Sequence, residues 1–97
     1  MNFDPVIAEA ARAESIHGPL PIDVEPSSAL LSAAAHIEAV ARYDPDGMPL
    51  SAEAILCEEV CELVRATTDA ERISELVQIE AVCARWRAAL AARSGGH

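Results

Sequence analysis

Three glutamates crowd into one short stretch, Cys57-Glu58-Glu59-Val60-Cys61-Glu62. Glu59 and Glu62 stand three apart, Glu58 and Glu62 four apart, and on a helix both spacings bring side chains to one face. Like charges so placed repel and weaken the helix, a cost that a bound cation removes. Farther along, Glu75 and Gln78 repeat the three-residue step. If the two stretches lie on neighbouring helices, Glu59, Glu62, Glu75 and Gln78 offer three carboxylates and one amide oxygen to a common ion. A hard, oxygen-only donor set suits Mg²⁺, or Mn²⁺, rather than zinc. The competing reading is a solvated acidic helix face.

Other residues admit two readings each. Cys57 and Cys61, with Cys83 or His36, form a candidate zinc set, yet no second Cys-x-x-Cys accompanies them. Small buried hydrophobes are the simpler account of these thiols. Trp86 either stacks on a base or packs in a core. His17, in a loop beside Gly18, either touches a base or phosphate or is a plain loop histidine. Arg72, one turn before Glu75, and Arg65 are candidate phosphate contacts.

Four helices are expected to position these groups. The first covers residues 5–16, with Asp4 as cap and Pro5 at its first position, and His17-Gly18-Pro19 ends it. A Pro-rich connector follows, to Pro26. The second covers 28–42, capped by Ser27 or Ser28, with Leu30, Leu31, Ala34, Ile37, Val40 and Ala41 as its apolar face. Its Ala33-Ala34-Ala35 run admits a close neighbour. Residues 43–47 read as a turn. The third helix starts after the Ser51 cap and continues to about Thr67. Thr68-Asp69-Ala70-Glu71 is a capping box that opens the fourth, which runs to about Ala92. There Leu76, Ile79, Cys83, Trp86 and Leu90 recur at helical steps, and Ile73, Val77 and Val82 widen the stripe enough for more than one neighbour. The short link around residues 67–69 makes the third and fourth helices an antiparallel pair, turning Glu59 and Glu62 toward Glu75 and Gln78.

Composition sets the outer bounds. At 97 residues the chain reads as a single all-α domain: an N-terminal helix and connector (1–27), a helical core (28–93) and a short flexible tail (94–97). Over half the residues are apolar, but only Phe3, Tyr43 and Trp86 are aromatic, which favours close-packed helices over a sheet. A net charge of −9, with arginine as the sole basic type besides histidine, argues against a nucleic-acid polymer as partner. It leaves room for a phosphorylated small molecule bridged by a divalent cation. No apolar run reaches the roughly 20 residues that span a bilayer. Three cysteines behind no secretory leader read as free thiols in the cytoplasm.

Glu58-Glu59-x-x-Glu62, twelve intervening residues and Glu75-x-x-Gln78 resemble the MazG pattern, in which E-E-x-x-E is followed by E-x-x-D on the next helix. The flanking text, Ile55 to Val60, Ile73 to Ile79 and Ala81 to Trp86, is similar to short MazG-like proteins of actinobacteria and their phages. The likeness covers roughly Ser51 to Leu90, and Glu14 to Gly18 resembles the "Q-x-H-P-x-G" segment upstream. What the resemblance implies is a four-helix, all-α NTP pyrophosphohydrolase fold, oligomeric as a homodimer or homotetramer. It further implies Mg²⁺-dependent hydrolysis of nucleoside triphosphates to monophosphate and pyrophosphate. Carried over, Glu59, Glu62 and Glu75 are metal ligands, and Glu58 is a further ligand or, with Glu62, the orienter of the attacking water. Gln78 stands where the wider family has aspartate. An amide oxygen coordinates Mg²⁺ but adds no charge, so the alternative is a weak or inactive relative that binds nucleotide or a protein partner. A purely structural helical adaptor is the third reading.

Overall fold

The computed structural model describes residues 4–43 and 51–95. They form four helices and no strand: α1 (Pro5–His17), α2 (Ser28–Arg42), α3 (Ala52–Arg65) and α4 (Asp69–Gly95). Each start is fixed by a short polar side chain. The Asp4 carboxylate accepts from the Val6 N–H at 2.9 Å, Ser27 Oγ from Leu30 at 3.0 Å and Ser51 Oγ from Ala54 at 3.1 Å. At α4, Thr68 Oγ1 accepts from the Glu71 N–H at 3.1 Å and donates to the Glu71 carboxylate, also at 3.1 Å. The Glu71 side chain therefore closes its box on the hydroxyl. Gly18 ends α1 at φ 77°, a backbone region closed to most other residues.

Three boundaries differ from expectation. α1 runs one residue farther, through His17. α3 stops at Arg65, because Ala66 turns extended (φ −64°, ψ 142°) and frees Thr68 to cap the next helix. α4 continues through Gly95, so half of the expected tail is helical. The expected turn at 43–47 lies mostly outside the described residues, as do Gly96 and His97.

α3 is the middle of a layer. It packs against α2 on one flank and α4 on the other; the backbones of α2 and α4 stay apart, and α1 approaches the rest where Val6 and Ala10 share a cavity with Arg87 of α4. Ala52 and Ile55, early in α3, lie beside Val82, Trp86 and Ala89, late in α4, so the pair is antiparallel. Trp86 is half-buried there, over the first turns of α3. The line of α4 that turns to α3 is Arg72, Glu75, Ile79, Val82, Cys83 and Trp86. Leu76 and Leu90, expected in that stripe, stay open, with Ile73 and Val77.

Little is enclosed. Among the described residues only Ala34, Glu38 and Cys61 are buried, all where α2 meets α3. The small Ala34 side chain lets the backbones approach, as the alanine run predicts. The chain exposes 7,749 Å², about 2,400 Å² more than a folded 10.3 kDa monomer usually does. Its radius of gyration is 16.2 Å, against about 13 Å for a compact chain of this length. No described helix is long and apolar enough to cross a membrane.

Candidate metal centre

The groove between α3 and α4 gathers Glu59, Glu62 and Glu75, each half-buried. One carboxylate oxygen from each lies within 4.8 Å of the others. Glu59 and Glu62 share a face because they are three apart on α3, and Glu75 meets them because the Ala66–Thr68 link folds α4 straight back. Glu59 Oε2 and Glu75 Oε2 are buried, and no N–H or hydroxyl donor among the described residues reaches them. Buried carboxylate oxygens ordinarily have one, since a charged acceptor without a partner loses its hydration for nothing.

The electrostatics follow from that crowding. Burial pushes the Glu62 carboxyl above the usual glutamate range, and the charge of Glu75 beside it pushes further, while Arg42 pulls back. Burial likewise raises Glu75, with the adjoining Glu59 next in importance. For Glu62 and Glu75, partial burial and a neighbouring like charge both disfavour ionisation. The three side chains could hold a metal ion, and an oxygen-only donor set is of the hard type that Mg²⁺ and Mn²⁺ take.

Close by lies a group of opposite character. Glu38 of α2, only 5% exposed, accepts from Arg65 Nη1 of α3 and pairs with Arg42 Nη2 at 2.9 Å. Arg42 Nε also donates to Glu58 Oε1 at 3.2 Å. Two carboxylates and two guanidiniums thus balance, tying α2 to α3. Glu38 and Arg42 were missed in the sequence reading. The available signal is an acid on the apolar stripe: Glu38 follows Ala34 by four, and Arg42 follows it by four again.

The remaining candidates lie elsewhere. Arg72 pairs with Asp69 at 2.9 Å and points Nη2 toward the Ala66 carbonyl at 3.4 Å. Gln78 is exposed. His17 ends α1, whose backbone approaches no other helix closely. Cys57, Cys61 and Cys83 are free, and no cysteine joins a described cluster with metal-ligand spacing. Cys61 is a buried thiol, and burial, then the charge of Glu38, raises it above the usual thiol range and away from reactivity. Comparison with protein-family models, with curated proteins and with solved structures gave no match.

A stability test follows from the raised carboxyls. A carboxyl whose folded pKa lies above its unfolded value weakens the fold at high pH. The penalty fades as pH falls through the folded pKa, and is gone below the unfolded one. In EDTA at neutral pH, Glu62→Gln should therefore melt a few degrees above the parent, with the gap closing in mildly acidic buffer. Thermal denaturation of both proteins across that range checks it. A variant that melts at or below the parent at neutral pH contradicts the assigned repulsion.

Proposed function

We propose that this protein is a Mg²⁺-dependent nucleoside triphosphate pyrophosphohydrolase of MazG-like type, acting on the cytoplasmic nucleotide pool. The observation that carries the reading is the convergence of Glu59, Glu62 and Glu75, two of whose buried oxygens have no N–H or hydroxyl donor among the described residues. These three would hold the ion. Mg²⁺ bound there supplies charge neutralisation of the phosphates and polarisation of the scissile phosphoryl group. The chain's own part is to place a water. Glu62, or Glu58 one turn earlier, would orient that water and accept its proton. The water oxygen bonds to the α-phosphorus, the bond from that phosphorus to the bridging oxygen breaks, and pyrophosphate departs.

The same reading includes self-assembly into a homodimer or homotetramer. Ile37 and Val40 of α2 and Ile73 and Val77 of α4 are among the large side chains left open. One observation favours the second reading, a weak or inactive nucleotide-binding relative: Gln78 is uncharged and turned to solvent.

Incubation with each NTP and dNTP in Mg²⁺ or Mn²⁺, with pyrophosphate measured, separates the two. The proposal expects metal-dependent release from at least one nucleotide. Nucleotide-dependent thermal stabilisation without release supports the binding module, and no response to metal or nucleotide removes both.

A further inference from the structure

We propose that Arg42 is a phosphate-binding residue of this site, held in reserve on Glu58 and handed to the substrate's phosphates when they arrive. The inference rests on the metal-site reading of Glu59, Glu62 and Glu75, and it starts from a charge problem. Three carboxylates with one divalent ion remain net negative, and a polyphosphate brings more negative charge than the ion removes. A cation from the protein has to stand nearby.

Three arginines are the described candidates, and they differ in what their departure leaves behind. Arg65 is bound to Glu38, which is 5% exposed. Moving it strips a buried carboxylate of a principal partner, an expensive loss. Arg72 is engaged by Asp69 and the Ala66 carbonyl at the α3–α4 turn. Arg42 is different. Its side chain is 57% exposed, and its bond to Glu58, at 3.2 Å, is longer than its own 2.9 Å pair with Glu38. It bridges two carboxylates, with Nη2 on Glu38 at 2.9 Å and Nε on Glu58, so an exchange limited to the Nε bond frees Glu58 while Glu38 keeps both of its cations. Its location also fits. Glu58 adjoins Glu59 in the chain and lies one helical turn before Glu62, so the guanidinium on Glu58 flanks the carboxylate cluster. A guanidinium binds phosphate through paired N–H donors, a better match than one bond to Glu58. Transfer of Arg42 also releases Glu58, freeing its carboxylate for the water.

The probe is inorganic tripolyphosphate titrated calorimetrically into protein in excess Mn²⁺, with Mn²⁺ affinity measured separately by EPR. Tripolyphosphate carries no base, so its affinity reports the phosphate contacts alone. Arg42→Gln should bind Mn²⁺ like the parent while losing tripolyphosphate affinity by at least about tenfold, and Arg42→Lys should fall between. Glu58→Gln, which unties the guanidinium, should bind tripolyphosphate more tightly than the parent. Loss of a carboxylate by itself also favours an anion, so the gain has to exceed the one that Glu58→Gln gives in an Arg42→Lys background. Parent protein that binds Mn²⁺, with Arg42→Gln within about twofold in tripolyphosphate affinity, overturns the role of Arg42 alone. A Glu58→Gln variant no tighter than the parent does the same. Parent protein that binds no Mn²⁺ overturns the metal-site reading itself, and this inference with it.

Discussion

Glu59→Gln and Glu62→Gln should each lower Mg²⁺-dependent pyrophosphate release by at least about 100-fold, because loss of even an outer-shell partner of a metal site costs about 10- to 100-fold. Both are half-buried on the face of α3 that meets α4, and both contribute to the 4.8 Å cluster. An amide in either place keeps the shape of the side chain but removes one of three charges. The decisive companion is Glu75→Gln. Glu75 belongs to a different helix, so an equal loss there identifies a site shared by α3 and α4, whereas full activity would confine the chemistry to α3. A continuous pyrophosphate assay reads all three, with helicity checked by circular dichroism. Release within about threefold of the parent in Glu59→Gln would sink the proposed centre.

The second large effect concerns stability and an asymmetry between partners. Glu38 is buried, while the side chains of Arg42 and Arg65 keep 57% and 47% of their exposure. Removing Arg65 leaves a buried carboxylate with a single cation, and an under-satisfied buried acceptor costs about 1–3 kcal/mol, more when charged. Removing Glu38 leaves two guanidiniums that water can solvate, and an apolar side chain of similar volume then fills the gap. Arg65→Met should therefore cost about 2 kcal/mol, a fall of roughly 10 °C in Tm for a chain of this size. Glu38→Met should stay within about 1 kcal/mol of the parent. Urea and thermal denaturation of both variants give the order. Glu38→Met as the more damaging change would show that the clasp works through the guanidiniums instead.

Helix starts were legible because they are local. Ser27, Ser51 and Thr68 each need only their own next turn to act as caps, and α2 runs from Ser28 to Arg42 as the pattern predicts. The approach of Glu59 and Glu62 to Glu75 was legible for a related reason: helical spacing sets the face, and a three-residue link leaves α4 nowhere else to go. Glu38 was not legible, because its burial depends on which side of α2 meets α3. The same holds on α4. Its apolar residues are consistent with a contact line through Leu76 and Leu90 or one through Glu75 and Val82, and the extended Ala66 selects the second. Gln78 illustrates the finer limit. The side of α4 that is half-buried steps four residues from Glu75 to Ile79 rather than three, which leaves Gln78 exposed.

A layer one helix thick, with α3 in the middle and open sides above and below, has a calorimetric consequence. Melting one chain uncovers little apolar surface that was not already wet, so its unfolding heat capacity is small and its stability curve shallow. Warming and cooling then alter the folded fraction only gradually. Steep cooperative melting has to come from whatever closes the layer, and the transition moves with protein concentration when that cover is another chain.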